Sequence, residues 1–432
     1  MHRRQKTMFR TTLALGAASG LIWAGFAAVP PAGAAPTASG ESAARAAAAP
    51  SVKGKVYAGY QGWFAAAGDG SPVNAWQHWA SGTPAPGNQS FELYPDVSAY
   101  PDSALHQTGY AALGDGQPSK LFSSYADAVV DQHFKWMQQY GIDGAAIQRF
   151  GGDFTSPGNP RNLQKNGITQ KARTAAEKYG RGFYVEYDIS GLTDDNLVSS
   201  VQKDWTDTVT GSMKPTDSAA YAHQDGRPVV ELWGIGVSGR SGTPDQFVQL
   251  VNWFKERGVY VIGGVPRGWR TDTSGFAPAY DALDMVSPWN VGNKTVDDKL
   301  FADDEARLEA NGQDYQPVIF PGFAWSNWHE GSPKNEIPRD AGQFLWDQAL
   351  GVRKAGANSA FVAMFDEYDE GTAIAPAAED ASMIPTNQYF LTLDADGKHM
   401  SSDFYLRLAA AATKMINGSA DISETVPIPL EN

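Results

Sequence analysis

The chain has 432 residues, long enough to bury a large core as one big domain or two ordinary ones. Its formal charge of −14 repels phosphate backbones, which argues against a nucleic-acid partner. With no cysteine, disulfides, thiolate metal sites and a cysteine nucleophile are all excluded.

The first 34 residues read as an export signal. Basic Arg3, Arg4, Lys6 and Arg10 precede an apolar run from Leu13 to Val29, and Ala32-Gly33-Ala34 offers small residues for cleavage. Gly16, Gly20 and Pro30-Pro31 interrupt and close the run, unlike a membrane anchor. Cleavage would take the formal charge from −14 to −18 and leave a secreted protein without a membrane segment. The Arg3-Arg4 pair fits either general or twin-arginine export. Residues 35–54 are dominated by Ala, Ser, Pro and Gly and read as a disordered linker. A single domain is expected over 55–418, with a tail at 419–432, and the protein is expected to act as a monomer.

Short apolar runs then alternate with amphipathic stretches. Val56–Phe64 is a predicted strand and Tyr125–Tyr140 a helix. Between them, residues 65–124 form a loop long enough to be a wall or lid, carrying Trp76, His78, Trp79, Tyr94 and Asp96. Ile142–Phe150 reads as a strand, and Gly167–Tyr179 as a helix capped by Asn166 and stopped by Gly180. Gly182–Ile189 is a strand, followed by an Asp194–Val209 helix capped by Thr193. Pro228–Val237 is a strand and Pro244–Arg257 a helix, with Thr243 as cap, Pro244 at the first position and Gly258 as stop.

The alternation continues through strands at Val259–Val265 and Met285–Val291, each followed by a helix, at Ala277–Leu283 and Val296–Ala310. Val318–Ala324 is a strand, Ala341–Lys354 an Asp340-capped helix, Ala357–Phe365 a strand and Ser402–Ile416 a closing helix. Eight such units predict an α/β fold, a (β/α)8 barrel of the TIM type. The rival doubly wound sheet usually carries a Gly-rich phosphate turn, which is missing.

Sites on such barrels gather where the strands end at their C-terminal side. Those ends hold Tyr60 and Trp63, then Gln148 and Arg149, then Tyr187 and Asp188. Further along come Trp233, Arg267, Trp289, and finally Trp325, Trp328 and His329. With Trp79 from the long loop they are candidate substrate contacts. Thirteen Trp and 17 Tyr supply flat faces on which sugar C–H groups stack. The eighth strand ends in Asp366-Glu367-Tyr368-Asp369-Glu370-Gly371. Glycosidic bond cleavage needs one carboxylic acid to protonate the leaving oxygen and a second carboxylate across the sugar. Glu367 and Glu370 are the candidate catalytic pair, and Asp366 and Asp369 beside them are further candidate substrate contacts.

Three residues apart, the pair would face opposite ways in an extended strand, so the chain must bend, and Gly371 suits the bend. Crowded carboxylates can also hold calcium or stand as solvated charges. Crowding favours catalysis, because like charges raise one pKa and keep a proton available. No HExxH, phosphate loop or nucleophile elbow occurs, and seven scattered His argue against a metal centre. No metal or other cofactor is expected.

The strand-end sequences Gly59–Trp63, Tyr187–Gly191, Ser287–Gly292, Pro321–Trp328 and Asp366–Thr372 resemble secreted proteins of the glycoside hydrolase family 71/99-like group, including xylosidase/arabinosidase-type members. The likeness spans Lys55 to Ile416. In the family 99 endo-α-mannosidases the corresponding eighth-strand stretch is Glu-Trp-His-Glu-Gly-Thr. Here it is Glu367-Tyr368-Asp369-Glu370-Gly371-Thr372, which keeps both glutamates at that spacing. The resemblance implies that Glu370 is general acid and then base. Glu367 would help the sugar's 2-hydroxyl attack the anomeric carbon with retention, whereas the family 71 relatives invert. Tyr368-Asp369 in place of Trp-His leaves the sugar and the stereochemistry open. The expected function is a secreted glycoside hydrolase acting on a polysaccharide or oligosaccharide. A non-catalytic carbohydrate-binding barrel and a polysaccharide lyase are the alternatives.

Overall fold

The computed structural model describes residues 49–432; the expected signal peptide and residues 35–48 of the expected linker lie outside them. Eight strands run parallel: β1 Val56–Tyr60, β2 Gly144–Phe150, β3 Gly182–Asp188, β4 Arg227–Trp233, β5 Tyr260–Pro266, β6 Met285–Trp289, β7 over 314–319 and β8 Ala360–Val362. Each pairs with the next in sequence, and β8 pairs with β1 through Val56 and Ala360. The ring closes through β7. Asp314 and Tyr315 pair with β6, while Val318 and Ile319 pair with β8. Pro317, which has no N–H for a ladder, splits the strand in two. The expected strand Val318–Ala324 therefore starts earlier and ends sooner.

Eight helices follow the strands in turn: α1 Asp127–Gln139, α2 Pro160–Tyr179, α3 Leu197–Lys203, α4 Pro244–Lys255, α5 Ala277–Asp281, α6 Asp298–Asn311, α7 Gln343–Lys354 and α8 Phe404–Ile416. The protein is a (β/α)8 barrel. Helix α4 starts on a capping box, Thr243 with Gln246, and Pro244 sits in its first turn. Helix α2 starts seven residues before the expected Gly167. The Asn159 side chain accepts from Arg161 N, and Pro160 follows at the first position. Asn166 lies inside the helix. Helix α3, by contrast, is shorter than expected, because it widens into a π-helical stretch over Asp204–Met213.

Side chains alternate across each strand, one set toward the barrel axis and the next toward the helices. Gln148, Glu186 and Glu231 are register neighbours facing the axis. Gln148 Nε2 donates to Glu186 at 3.1 Å, and the Tyr184 hydroxyl donates to Glu231 at 2.9 Å. One residue on, Arg149 and Tyr187 face the helix layer.

Residues 50–54, assigned to the linker, instead pack on the barrel: Val52 is buried, and His223 N donates to the Pro50 carbonyl. The last residues fold back, with Leu430 O accepting from Ser401 N. The loop over 65–124 includes a hairpin of Leu105–Gln107 with Lys120–Phe122 and covers the C-terminal end of the barrel. No helix among the described residues is long and apolar enough to cross a membrane.

Candidate active site

The chain bends immediately after β8. A turn over residues 368–371 places Gly371 at a φ of +62°, and the amides of Thr372 and Ala373 both donate to the Glu367 carbonyl. Glycine is suited to that left-handed backbone, as the sequence anticipated. The turn releases Glu367 and Glu370 from the opposition that strand alternation would impose.

Glu370 lines a hollow of about 470 Å³ with Asp369, Trp63, Trp76, His78 and Trp328. Glu367 sits deeper and is buried. It accepts from Gln61 Nε2 at 2.9 Å and from the Thr372 hydroxyl at 2.7 Å. Burial pushes its pKa up, and the neighbouring Glu370 charge adds to the rise, while Thr372 opposes it. Burial, then Asp369, pushes Glu370 up to about 7. The two carboxyls titrate as one unit, holding a proton near neutrality that an isolated pair would have lost. Acidity does not rank the two, since both carboxyls are raised; position does, because Glu370 lines the hollow where a leaving oxygen would lie and Glu367 sits behind it.

Around the pair, aromatic rings form one wall. Trp63 and His78 stack with centroids 3.9 Å apart and planes 6° from parallel. His78 Nδ1 lies 2.9 Å from Asp369 Oδ2, so the loop is tied to the β8 turn. Burial, with Lys165 and Arg161 nearby, lowers the His78 pKa and holds the ring neutral. The Trp328 indole donates to the Asp369 carbonyl at 3.2 Å. Glu92, buried in the long loop, accepts from Ser326 and from Asn327 N at 2.6 Å, and its own amide donates to Tyr368 O. The loop is thereby a fixed wall.

The remaining expected contacts divide by strand alternation. Asp188 and Trp233 share the inward parity of Glu186 and Glu231. Asp188 accepts from Ser190 N, and Trp233 meets Trp289 edge-on at 5.3 Å. Gln148 faces the axis below them. Trp325 and His329 stack at 3.9 Å on the rim, and Arg267 donates to Asn290 beside it. Five assignments are corrected. Tyr60 is core, its hydroxyl bonded to His133. Trp79 is core, its indole donating to the Phe122 carbonyl at 2.8 Å. Arg149 and Tyr187 turn outward to Asp204. Asp366 accepts from the amides of Gln61 and Gly62 at 2.7 and 2.8 Å and so anchors the end of β1. It positions Gln61 rather than a substrate.

Sequence reasoning did not single out Gln61, Thr372, Arg161 or Lys165 as site residues. Gln61 and Thr372 lay in the quoted motifs. Asn159-Pro160, a cap followed by a first-turn proline, was the signal for the earlier helix start that carries the other two. Among the described residues no group of three or more His, Asp or Glu is arranged to hold a metal ion.

No family model matches the chain, and no curated protein matches it. Solved structures do. A GH99 endo-alpha-mannosidase from Bacteroides thetaiotaomicron superposes with a TM-score of 0.62 at 15% identity, over 86% of this chain and 100% of that one. A structure of a GH99 endo-alpha-mannosidase in complex with bis-tris-propane gives 0.61 at 14%, over 85% and 99%. At such identity the likeness is one of fold. It agrees with the family 99 resemblance of the strand-end motifs.

Proposed function

We propose that this barrel, folded like a GH99 endo-alpha-mannosidase, is a glycoside hydrolase that cleaves an oligosaccharide or polysaccharide through Glu367 and Glu370. The observation that carries the proposal is the turn after β8. It sets Glu370 on the wall of an aromatic hollow and Glu367 behind it between two hydrogen-bond donors.

In the proposed step Glu370 gives its proton to the glycosidic oxygen as the bond to the anomeric carbon breaks. Glu367 takes a proton from the attacking hydroxyl, water or the sugar's own 2-hydroxyl. Glu370, now ionised, then serves as base where a second step follows. Trp63 and Trp328 offer ring faces to the sugar, and the polar rim bonds its hydroxyls. The export-type N-terminus supports an exported enzyme.

The test is a glycan panel incubated with the wild type, Glu367→Gln and Glu370→Gln, with product mass and anomeric configuration recorded. Turnover by the wild type, lost by at least about a hundredfold in each folded variant, is expected. Substitutions that alter affinity alone would support a binding barrel. Products with the absorbance of an unsaturated sugar would support a lyase.

A further inference from the structure

Beside the hollow lies an annex of about 200 Å³, lined in part by Phe150, Asp153, Arg161, Gln164 and Lys165. It shares Trp63, Gln77, His78 and Arg161 with the hollow that Glu370 lines, so the two adjoin. We propose that the annex is a subsite for a sugar carrying an anionic substituent, a uronate carboxylate or an ester sulfate, bound by Arg161 and Lys165. The inference rests on the hydrolase reading of the neighbouring hollow.

Charge is the first observation. The chain carries −14 overall, yet this annex holds two cations against one carboxylate, Asp153, and His78 is neutral. Lys165 is buried at 5% exposure. Its ammonium donates to the Gln61 carbonyl and lies over the Phe150 ring at 5.1 Å, but among the described residues it has no carboxylate at ion-pair distance. An ammonium has three donors, and Asp366, Asp153 and Asp188 act on this one only from beyond ion-pair distance, so its burial is costly. The Arg161 guanidinium, one helical turn earlier on the same face of α2, makes no ion pair among the described residues and opens onto both cavities. A fork of five donors beside an ammonium is the arrangement that recognises a carboxylate or sulfate.

An unpaired acceptor is the second observation. Gln164 is buried at 3% exposure, and its Oε1 has no partner in the annex wall. An acceptor in the wall that holds Arg161 and Lys165 fits a hydroxyl adjoining the anionic group. The ligand class that offers anion and hydroxyl on one ring is an acidic sugar, with the Phe150 and Trp63 rings for its apolar face.

The test uses the Glu370→Gln protein on an array of neutral, uronate-bearing and sulfate-bearing oligosaccharides. A carboxyl-reduced partner for each uronate and a desulfated partner for each sulfate serve as controls. Binding of the anionic members at least about tenfold tighter than their neutral partners is expected, as is loss of most of that preference in Glu370→Gln/Arg161→Gln. The array separates uronate from sulfate by which set is retained. Arg161 is exposed, so its substitution spares the fold and Lys165 need not be changed. Equal binding of charged and neutral partners, or a preference that survives Arg161→Gln, overturns the subsite. Wild-type turnover separates the two proposals. Cleavage without anionic preference sinks the subsite alone, and anionic binding without cleavage sinks the hydrolase alone.

Discussion

Arg149 decides between two readings of a strand-end cation, and its removal has a calculable consequence. The guanidinium is 1% exposed and forms two hydrogen bonds to Asp204, at 2.8 and 2.6 Å, with further bonds to Asn166 and Asn162. The Tyr187 hydroxyl donates to the same carboxylate at 2.9 Å. Replacing Asp204 with Ala leaves a buried guanidinium without its anion. Breaking a buried pair from one side costs roughly 3–5 kcal/mol, in line with two charge-assisted bonds of about 1.5–3 kcal/mol each. With a urea dependence of about 3 kcal/mol per molar, the unfolding midpoint drops by about 1 M or more. Arg149→Met drops it comparably, and the double variant Arg149→Met/Asp204→Leu recovers at least half of the loss, since neither charge is then stranded. Urea unfolding followed by tryptophan fluorescence measures all three. Single variants with midpoints within 0.3 M (about 1 kcal/mol) of the wild type but with weakened sugar binding would refute the structural role and return Arg149 to the cleft.

Glu370 gives a pH prediction. Its pKa is raised from 4.5 to about 7, so the folded chain keeps a proton that the unfolded chain releases. Stability is therefore lost as pH rises from about 4.5 through 7, by at most about 3 kcal/mol, and Glu370→Gln should gain on the wild type in urea midpoint between pH 5 and pH 8. A constant difference across that range would contradict the assignment. Glu92→Ala strands the Ser326 hydroxyl and the Asn327 amide, at about 1–3 kcal/mol each, and should speed limited proteolysis within residues 65–124. Unchanged cleavage would show that the wall is held elsewhere. His78→Ala removes the Trp63 stack and the Asp369 bond and should raise KM by about tenfold with a smaller change in kcat, measured on the best glycan of the panel.

The barrel was legible because each unit carries its own punctuation. Thr243-Pro244 and Gly258 bracket α4, Gly180 ends α2, and apolar runs of strand length separate them. The β8 turn was legible too, from Gly371 and the two glutamates. What failed was the assumption that every residue at a strand end faces the cleft. Alternation sends Gln148, Glu186 and Asp188 inward and Arg149 and Tyr187 outward, and the register that fixes that parity is a property of the closed sheet. Tyr60 and Trp79 were misplaced because an aromatic ring suits a core as well as a sugar. Arg161 and Lys165 were lost through one missed cap. Placing the start of α2 at Gly167 left both cations in an unassigned loop, although Asn159-Pro160 marks the true start.

The division of labour between the two glutamates is open to a leaving-group experiment. On a dinitrophenyl glycoside of the sugar returned by the panel, the phenol departs without needing a proton. Glu370→Gln should then retain most of its bond-cleavage rate while Glu367→Gln stays inactive, and both should fail on the natural linkage. Equal losses on the activated and the natural substrate in Glu370→Gln would show that Glu370 carries no proton to the leaving oxygen.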